Sequence, residues 1–301
     1  LLFWGLLTLW LPIYLFFALL FSRINKIVVF GAYYSYASAL AAKLTGKPII
    51  LFLRSLVFEI DKINGKPKWL RSISEFVEKI GMLSARKIVF MTPNMKENVE
   101  RFLGREVKNF AILPNEISNL SEQYSAPAGL MTILLAGVLD DRKNVAFVIQ
   151  SLSSLPQTFK NKIQCFIAGD GPRADELKFL TASLNVAIIK FVGWQENMST
   201  LYQKSHIFIH PSQHEGISNA VLEALSYGLD ILISDIPEHR MIINHNDYLF
   251  SLSSVNELTQ KLQKMIEDPD SFHTRREFLR QATMNLRFDW NQVVLDICKD
   301  T

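Results

Sequence analysis

The stretch Ile207–Gly228, IFIHPSQHEGISNAVLEALSYG, decides the fold class. It opens as a short apolar strand ending at His210, followed by a loop carrying Pro211, Ser212 and Gly216. Ser218 and Asn219, both good N-cap residues, then start a helix, and Gly228 stops it. The end of a parallel strand leading into a helix N-terminus is where open α/β sheets bind ligands. The amides exposed there favour anions, phosphates above all. Two carboxylates bracket the turn eight positions apart, Glu215 in the loop and Glu223 in the helix. Each can accept two hydroxyl hydrogen bonds, which suits a ribose or hexose diol. The pair alone is weak, since a solvated Glu223 and a capping Glu215 would account for it equally well.

Outward from this turn the same rhythm repeats. Apolar runs at 27–30, 49–53, 88–90, 133–136, 165–168, 188–192, 207–209 and 231–233 alternate with helical patterns at 36–44, 70–83, 145–155, 174–184, 220–227 and 257–266. Such alternation predicts parallel sheets with helices on both faces, and near-continuous apolar strands fit sheets buried on both sides. The polar stretch NEISNLSEQYSAPAG, Asn115–Gly129, reads as an interdomain linker. The length of 301 residues suggests two domains.

Composition narrows the function classes. With 49% hydrophobic and 20% charged residues the chain is globular, and a net charge of +3 gives no ground for nucleic-acid binding. Cys165 and Cys298 stand too far apart in sequence to suggest a disulfide framework or a zinc cluster, and a reducing cytosol suits them. His206, His210, His214, His239 and His245 lack a ligand spacing and read as structural or solvated, with His214 the exception because it precedes Glu215. Asp140 and Asp141 are adjacent rather than split by one residue, so no metal is expected.

Residues 1–22 carry no charge and reach the ~20 residues a spanning helix needs. Three readings stand: a span, a helix lying in the membrane surface, or a buried helix of a truncated domain. A signal peptide is not indicated, because no basic leader or small-residue cleavage site is visible. The first residue is Leu1 rather than Met, as expected of a fragment or processed form. The segment Asp61–Arg71 combines Lys62, Lys66, Lys68, Arg71 and Trp69. It reads as a solvated loop in isolation, and beside an apolar N-terminus it also suits anionic lipid.

Pro211, Ser212, Glu215, Gly216, Glu223, Ala224 and Gly228 together resemble the signature of glycosyltransferase family 4, a retaining family of GT-B fold. The resemblance runs from about Ile27 to the C-terminus and is densest over 137–243. It implies that Glu223 binds the nucleotide ribose and Glu215 lies at the transferred sugar. It also implies that the backbone of Gly216, Ile217, Ser218 and Asn219 holds sugar and phosphate. LAGVLDDRKNV, 135–145, resembles the family's first strand-turn of the nucleotide domain, with Gly137 in the turn and Lys143 at the diphosphate-binding lysine. Val138 stands where the family carries Arg, and Arg142 is the neighbouring substitute. IAGDGP with Gly169 and Gly171, and FVGW with Gly193, match the next two turns of the donor site. In the FVGW match the segment lies along the base, although core packing would account for Phe191 as well as for Trp194.

The N-terminal half matches less closely. Arg54 and Ser55 replace the family's His-Gly, so Arg54 either binds a phosphate, at the acceptor or donor, or pairs with Glu59 or Asp61. Lys87–Thr92 and Leu113–Asn115 resemble the last two strands of that domain, with Glu116 in place of the usual Gly. No counterpart of the family's first strand and acceptor loop is found.

The expected architecture is therefore α/β, with two Rossmann-like domains facing a cleft and the N-terminal one truncated. Residues 1–22 form an apolar, membrane-associated or spanning helix, and 23–118 a partial acceptor-binding domain. Residues 126–284 bind the nucleotide sugar, and 285–301 form a helix returning to the N-terminal domain. The resemblance implies a metal-independent retaining hexosyltransferase in cell-surface polysaccharide synthesis, at the cytoplasmic face of the membrane. A UDP-sugar is the favoured donor, and a glycan or lipid-linked hydroxyl the acceptor. Two other readings remain: a donor-binding pseudoenzyme or membrane-tethered interaction protein, and a GT-B sugar-nucleotide epimerase.

Overall fold

A computed structural model describes residues 2–21, 23–117 and 129–300. The chain divides into two compact units, Leu1–Pro114 with Asp289–Thr301, and Asn115–Phe288. The expectation of a membrane-spanning N-terminal helix rests partly on side chains of residues 1–10, which lie outside the described ones. Among the described residues no helix is long and apolar enough to cross a membrane.

The first unit runs α1 (Leu2–Phe21), β1 (Ile27–Phe30), α2 (Ala32–Thr45), β2 (Ile49–Leu53), α3 (Val57–Ile63), α4 (Lys68–Ser84), β3 (Lys87–Phe90), α5 (Pro93–Leu103) and β4 (Phe110–Ile112). Its strands pair in parallel in the order β1-β2-β3-β4. Central β2, IILFL, is buried along its whole length, as a strand covered on both faces must be. The last strand is Phe110–Ile112 rather than Leu113–Asn115; Leu113 continues the ladder by one bond to the Phe90 carbonyl, and then Pro114 breaks it.

Helices α2 and α4 touch through small residues. A Cβ added to Gly81 would lie 1.9 Å from Ser35 Oγ and 2.5 Å from the Ala32 carbonyl oxygen. The second is backbone and cannot swing away, so Gly81→Ala must push the two helices apart. The expected cost is about 1–3 kcal/mol, read in urea denaturation as a lower midpoint at unchanged slope. Helix α14 (Trp290–Lys299) belongs to this unit. Its Trp290 ring lies 6.2 Å from Phe30 and 6.3 Å from Phe52, centroid to centroid.

The second unit runs β5 (Met131–Ala136), α6 (Val145–Ser153), α7 (Gln157–Lys160), β6 (Ile163–Ala168), α8 (Ala174–Ser183), β7 (Ile189–Gly193), α9 (Ser199–Gln203) and β8 (Ile207–His210). It continues with α10 (Asn219–Ser226), β9 (Asp230–Ser234), α11 (Pro237–Ile242), β10 (Leu249–Phe250), α12 (Val255–Glu267) and α13 (Phe272–Ala282). Six parallel strands lie in the order β10-β9-β8-β5-β6-β7. From β5 the chain builds outward through β6 and β7, then returns to the other side of β5 for β8 and continues away through β9 and β10. The order therefore reverses between β5 and β8, which pair through Ile133–Ile207 and Leu134–Phe208. The core packs Ile133, Leu135, Val148, Ile167, Ile209 and Leu262 between sheet and helices. The segment read as a linker begins later than its composition suggests. Asn115 is buried in this unit and the Ile117 amide donates to the Leu286 carbonyl at 2.7 Å; residues 118–128 of that segment lie outside the described residues.

Candidate active site

In an open parallel sheet the loops after two strands that diverge at a reversal of order leave a crevice at their carboxyl ends. Here those loops are 137–144 after β5 and 211–218 after β8. They meet through charge. Lys143 Nζ donates to Glu215 Oε1 at 2.6 Å, Ser212 Oγ donates to it at 2.7 Å, and Arg142 Nη1 lies 2.9 Å away. His210 Nε2, at the last position of β8, is 3.0 Å from the same oxygen and donates to it when that nitrogen carries the proton. Four groups thus converge on Oε1. A small pocket beside them is lined by Gly137, Val138, Lys143, Ala168, His210 and Pro211.

The glycines let neighbouring loops close on this point. A Cβ on Gly169 would stand 1.9 Å from the Gly137 carbonyl oxygen, and one on Gly171 would stand 2.6 Å from that of Leu139. The loops after β5 and β6 are laced together, the Leu139 amide donating to Asp170 O and the Arg173 amide to Leu139 O, each at 2.9 Å. Gly193 ends β7, next to Trp194, which is 71% exposed. Phe191 packs against the core, so its sequence position reflects packing.

Burial lowers the Lys143 ammonium below its ordinary value, with Glu215 resisting. Burial also works against an ionised Glu215, yet the His210 hydrogen bond and the Lys143 and Arg142 charges hold it well below the usual carboxylate range. The carboxylate is thus permanently charged near neutrality, with Oε1 saturated by protein donors. His210 is pulled down to about 4 by burial and then by Lys143. His239, with its ring 5.5 Å from that of His210, is pulled down to about 3 by burial and then by His210.

Both histidines have folded values below the unfolded one, so the unfolded chain takes up protons first. Stability present above about pH 6.5 is lost as pH falls toward about 4, at up to about 1.4 kcal/mol per pH unit for each ring. Asp230, raised to about 6 by burial against the opposing pull of Arg275, works the other way over the lower part of that window. Glu78 in the first unit, raised to about 7 by burial, opposes the histidines as well, so their contribution is read by difference. Denaturation between pH 7 and 4.5 should show the stability gap between wild type and His239→Gln narrowing as pH falls.

Helix α10 begins after Ser218, which turns its hydroxyl to His210 Nε2 at 3.0 Å and makes no hydrogen bond to the helix amides. The expected N-cap is thus a cap by position, and its side chain belongs to the histidine cluster. Buried Ile217 presents its carbonyl to Asn115 Nδ2 at 2.9 Å, and the same amide reaches Asn219 Oδ1. Gly216 lies in the loop between this fixed point and Glu215. Glu223 is exposed on α10, where its Oε2 accepts from Tyr202 Oη at 3.0 Å.

Several side chains depart from expectation. His210, not His214, is the histidine at Glu215; the His214 carbonyl instead accepts from Arg142 Nη1 at 3.3 Å. Val138 is 53% exposed where the resembled family has its arginine. Arg142 approaches the same carboxylate as Lys143. Arg54 lies in the first unit after β2, its guanidinium lowered by burial, and Asp61 pairs with Lys66 at 2.7 Å rather than with Arg54. Sequence reasoning missed His210, Tyr202 and Asn115 as site residues and read Ser212 only as part of the resembled signature, without a role. Only His210 carried a readable signal, a polar residue closing an apolar strand at the ligand-binding edge.

The chain has recognisable relatives among known proteins. A family model described as "Glycosyl transferases group 1" matches residues 116–283. Among curated proteins, the chain is 24% identical over 196 residues to the lipopolysaccharide core biosynthesis glycosyltransferase LpsE of Rhizobium meliloti, covering 62% of this chain and 56% of LpsE. It is 23% identical over 242 residues to the serotype-specific mannosyltransferase WbdA of Escherichia coli, covering 75% of this chain and 29% of WbdA. The chain therefore spans about half of the first relative and under a third of the second. Among solved structures, the sucrose-phosphate synthase of Thermosynechococcus elongatus superposes with a TM-score of 0.77 at 18% identity, over 97% of this chain and 77% of that one. The likeness to solved structures establishes a GT-B fold of two Rossmann-like halves. With the family model matching more than half of its residues, the chain belongs to the group 1 glycosyl transferases.

Proposed function

We propose that the protein is a retaining hexosyltransferase that moves a sugar from a nucleotide diphosphate donor, UDP favoured, to a hydroxyl of a glycan or lipid-linked acceptor. The observation that carries this reading is the meeting of Lys143 and Glu215 across the strand-order reversal, 2.6 Å apart and beside the start of α10. A departing diphosphate needs positive charge fixed in place before the bond breaks. Lys143 and the amides at the start of α10 supply it, with Arg142 in support at the position's neighbour. Glu215, ionised and held through Oε1, turns its other oxygen to the sugar, orients it and stabilises the positive charge that develops at the ring. Glu223 takes the ribose diol. Gly137, Gly169, Gly171 and Gly193 let the backbone approach the donor, and Arg54 is the acceptor-side candidate. No metal is required, since side-chain cations and helix amides carry the leaving-group charge.

In this reading the enzyme works at the cytoplasmic face of the membrane in cell-surface polysaccharide synthesis. The activities of relatives support such a setting; one is an E. coli UDP-Gal:alpha-D-GlcNAc-diphosphoundecaprenol alpha-1,3-galactosyltransferase, 21% identical over 247 residues. The test is incubation with UDP-sugars and diphosphate-linked lipid acceptors in excess EDTA, with the product's anomeric configuration read by NMR. Transfer with retention supports the proposal, and inversion or a strict metal requirement contradicts it. Exposed Val138 favours one second reading, a site that binds donor without turning it over. Binding of the intact nucleotide sugar with no product from any acceptor would select that reading.

A further inference from the structure

We infer that the outer face of α4 docks the protein onto an anionic phospholipid bilayer. The helix is inverted relative to an ordinary surface helix, which buries its apolar stripe and exposes its polar one. The buried side of α4 is Ser74, Glu78, Gly81 and Met82. That side is committed to the first unit. Glu78 accepts from the Val57 and Phe58 amides at the start of α3, each at 3.0 Å, and Ser74 Oγ donates to buried Asp61 at 2.8 Å. Gly81 abuts α2 with no room for a Cβ. Rotating the helix to cover its apolar residues would break all three contacts.

The exposed side is Trp69, Ile73, Phe76, Ile80 and Leu83. Steps of four, three, four and three residues at 100° each keep these five within one narrow face, ~21 Å long. Trp69 is 67% exposed and Phe76 65%. Lys68 and Lys79, both exposed, flank the stripe on one side with exposed Glu75 between them, and exposed Lys66 precedes it. At its C-terminal end Ile80 enters an open groove of about 640 Å³ between α2 and α4 at the starts of β2 and β3, rimmed by Lys43, Lys47 and Arg86. Leu40 of α2, also exposed, lines the same groove and widens the apolar surface.

An apolar face edged by lysines, with a tryptophan at one end, is the pattern of a helix lying in the plane of a membrane interface. The stripe would enter the boundary between headgroups and acyl chains while the lysines extend to the phosphates. The basic edge decides between occupants. With Lys43, Lys47 and Arg86 of the groove, Lys66, Lys68 and Lys79 outnumber Glu75 on this face, so two copies brought together here would repel, whereas anionic headgroups neutralise the excess. The groove lies at the amino ends of its own strands, the end of that sheet where α/β active sites are not built. The inference stands independently of the transfer reaction, which nucleotide titration tests separately.

The experiment is flotation of the full chain with vesicles of phosphatidylcholine alone and with phosphatidylglycerol added. The wild type is expected to float with the anionic vesicles. Phe76→Ser/Ile80→Ser should lower partitioning at least tenfold, and Lys68→Glu/Lys79→Glu should remove the preference for anionic lipid. Both sets of positions are exposed, and unchanged circular dichroism checks the fold. In a second measurement, a Phe76→Cys variant carrying an environment-sensitive fluorophore should shift to the blue on anionic vesicles and be quenched by brominated lipid. Three results overturn the inference: equal flotation of wild type and Phe76→Ser/Ile80→Ser, a label at 76 that stays in water, or a soluble dimer that this double variant dissociates while vesicles bind neither form.

Discussion

Replacing Glu215 by Gln should lower kcat by roughly 10²–10³-fold, as losing a preorganised electrostatic group at a reacting centre does, while affinity for the free nucleotide stays close to wild type. Gln keeps the shape of the side chain and removes its charge. The developing positive charge at the sugar ring then loses its partner, so the interaction missing is one made mainly in the transition state. The change also strands cations. Lys143 and Arg142 have side chains only 12% and 15% exposed, and both point at Oε1. Taking one partner from a buried charge network costs about 3–5 kcal/mol, so the variant should be less stable as well as slower. Kinetics measured well below its melting temperature separate the two effects.

The second large effect is expected at Lys143. Lys143→Ala should lower kcat/KM by roughly 10²–10³-fold, with a different signature. Glu215 keeps Arg142, Ser212 and His210 and remains ionised, so the sugar is still oriented. What is lost is the charge opposite the diphosphate. Affinity for UDP should drop about tenfold, the order of one charge-assisted hydrogen bond, and affinity for uridine should not change. Because the two side chains touch, the double variant should not sum the singles, with a coupling of about 0.5–3 kcal/mol. Additive losses would mean that Lys143 and Glu215 act on separate steps.

The architecture of the C-terminal unit was legible because buried parallel strands write themselves as unbroken apolar runs. The strand at 207–210 and the helix from 219 follow directly from IFIH and from the residues after Gly216. The reversal of strand order was not legible, since β8 could have added beside β7 as readily as beside β5 on pattern alone. Without that fact His210 looked like a core histidine. It is one, fully buried, yet its ring is also what holds Glu215 and Ser218. Asn115 was hidden for another reason. Its segment is polar, and only tertiary structure shows its amide on the Ile217 carbonyl 102 residues away. On α4 the helix was readable from its period, but its orientation was not. The apolar stripe of such a helix normally faces the core, and here the buried hydrogen bonds of Glu78 and Ser74 hold the opposite face inward.

Calorimetric titration of the purified protein with UDP and with GDP, alongside Glu223→Ala, is the measurement to make first. Saturable single-site binding of UDP, weakened tenfold or more in the variant, is the expected result, because the exposed carboxylate beside Tyr202 is assigned to the ribose. The same pattern with GDP would keep the site and change the base. No heat with either nucleotide, or equal affinity in wild type and variant, would contradict a nucleotide-sugar site at the start of α10.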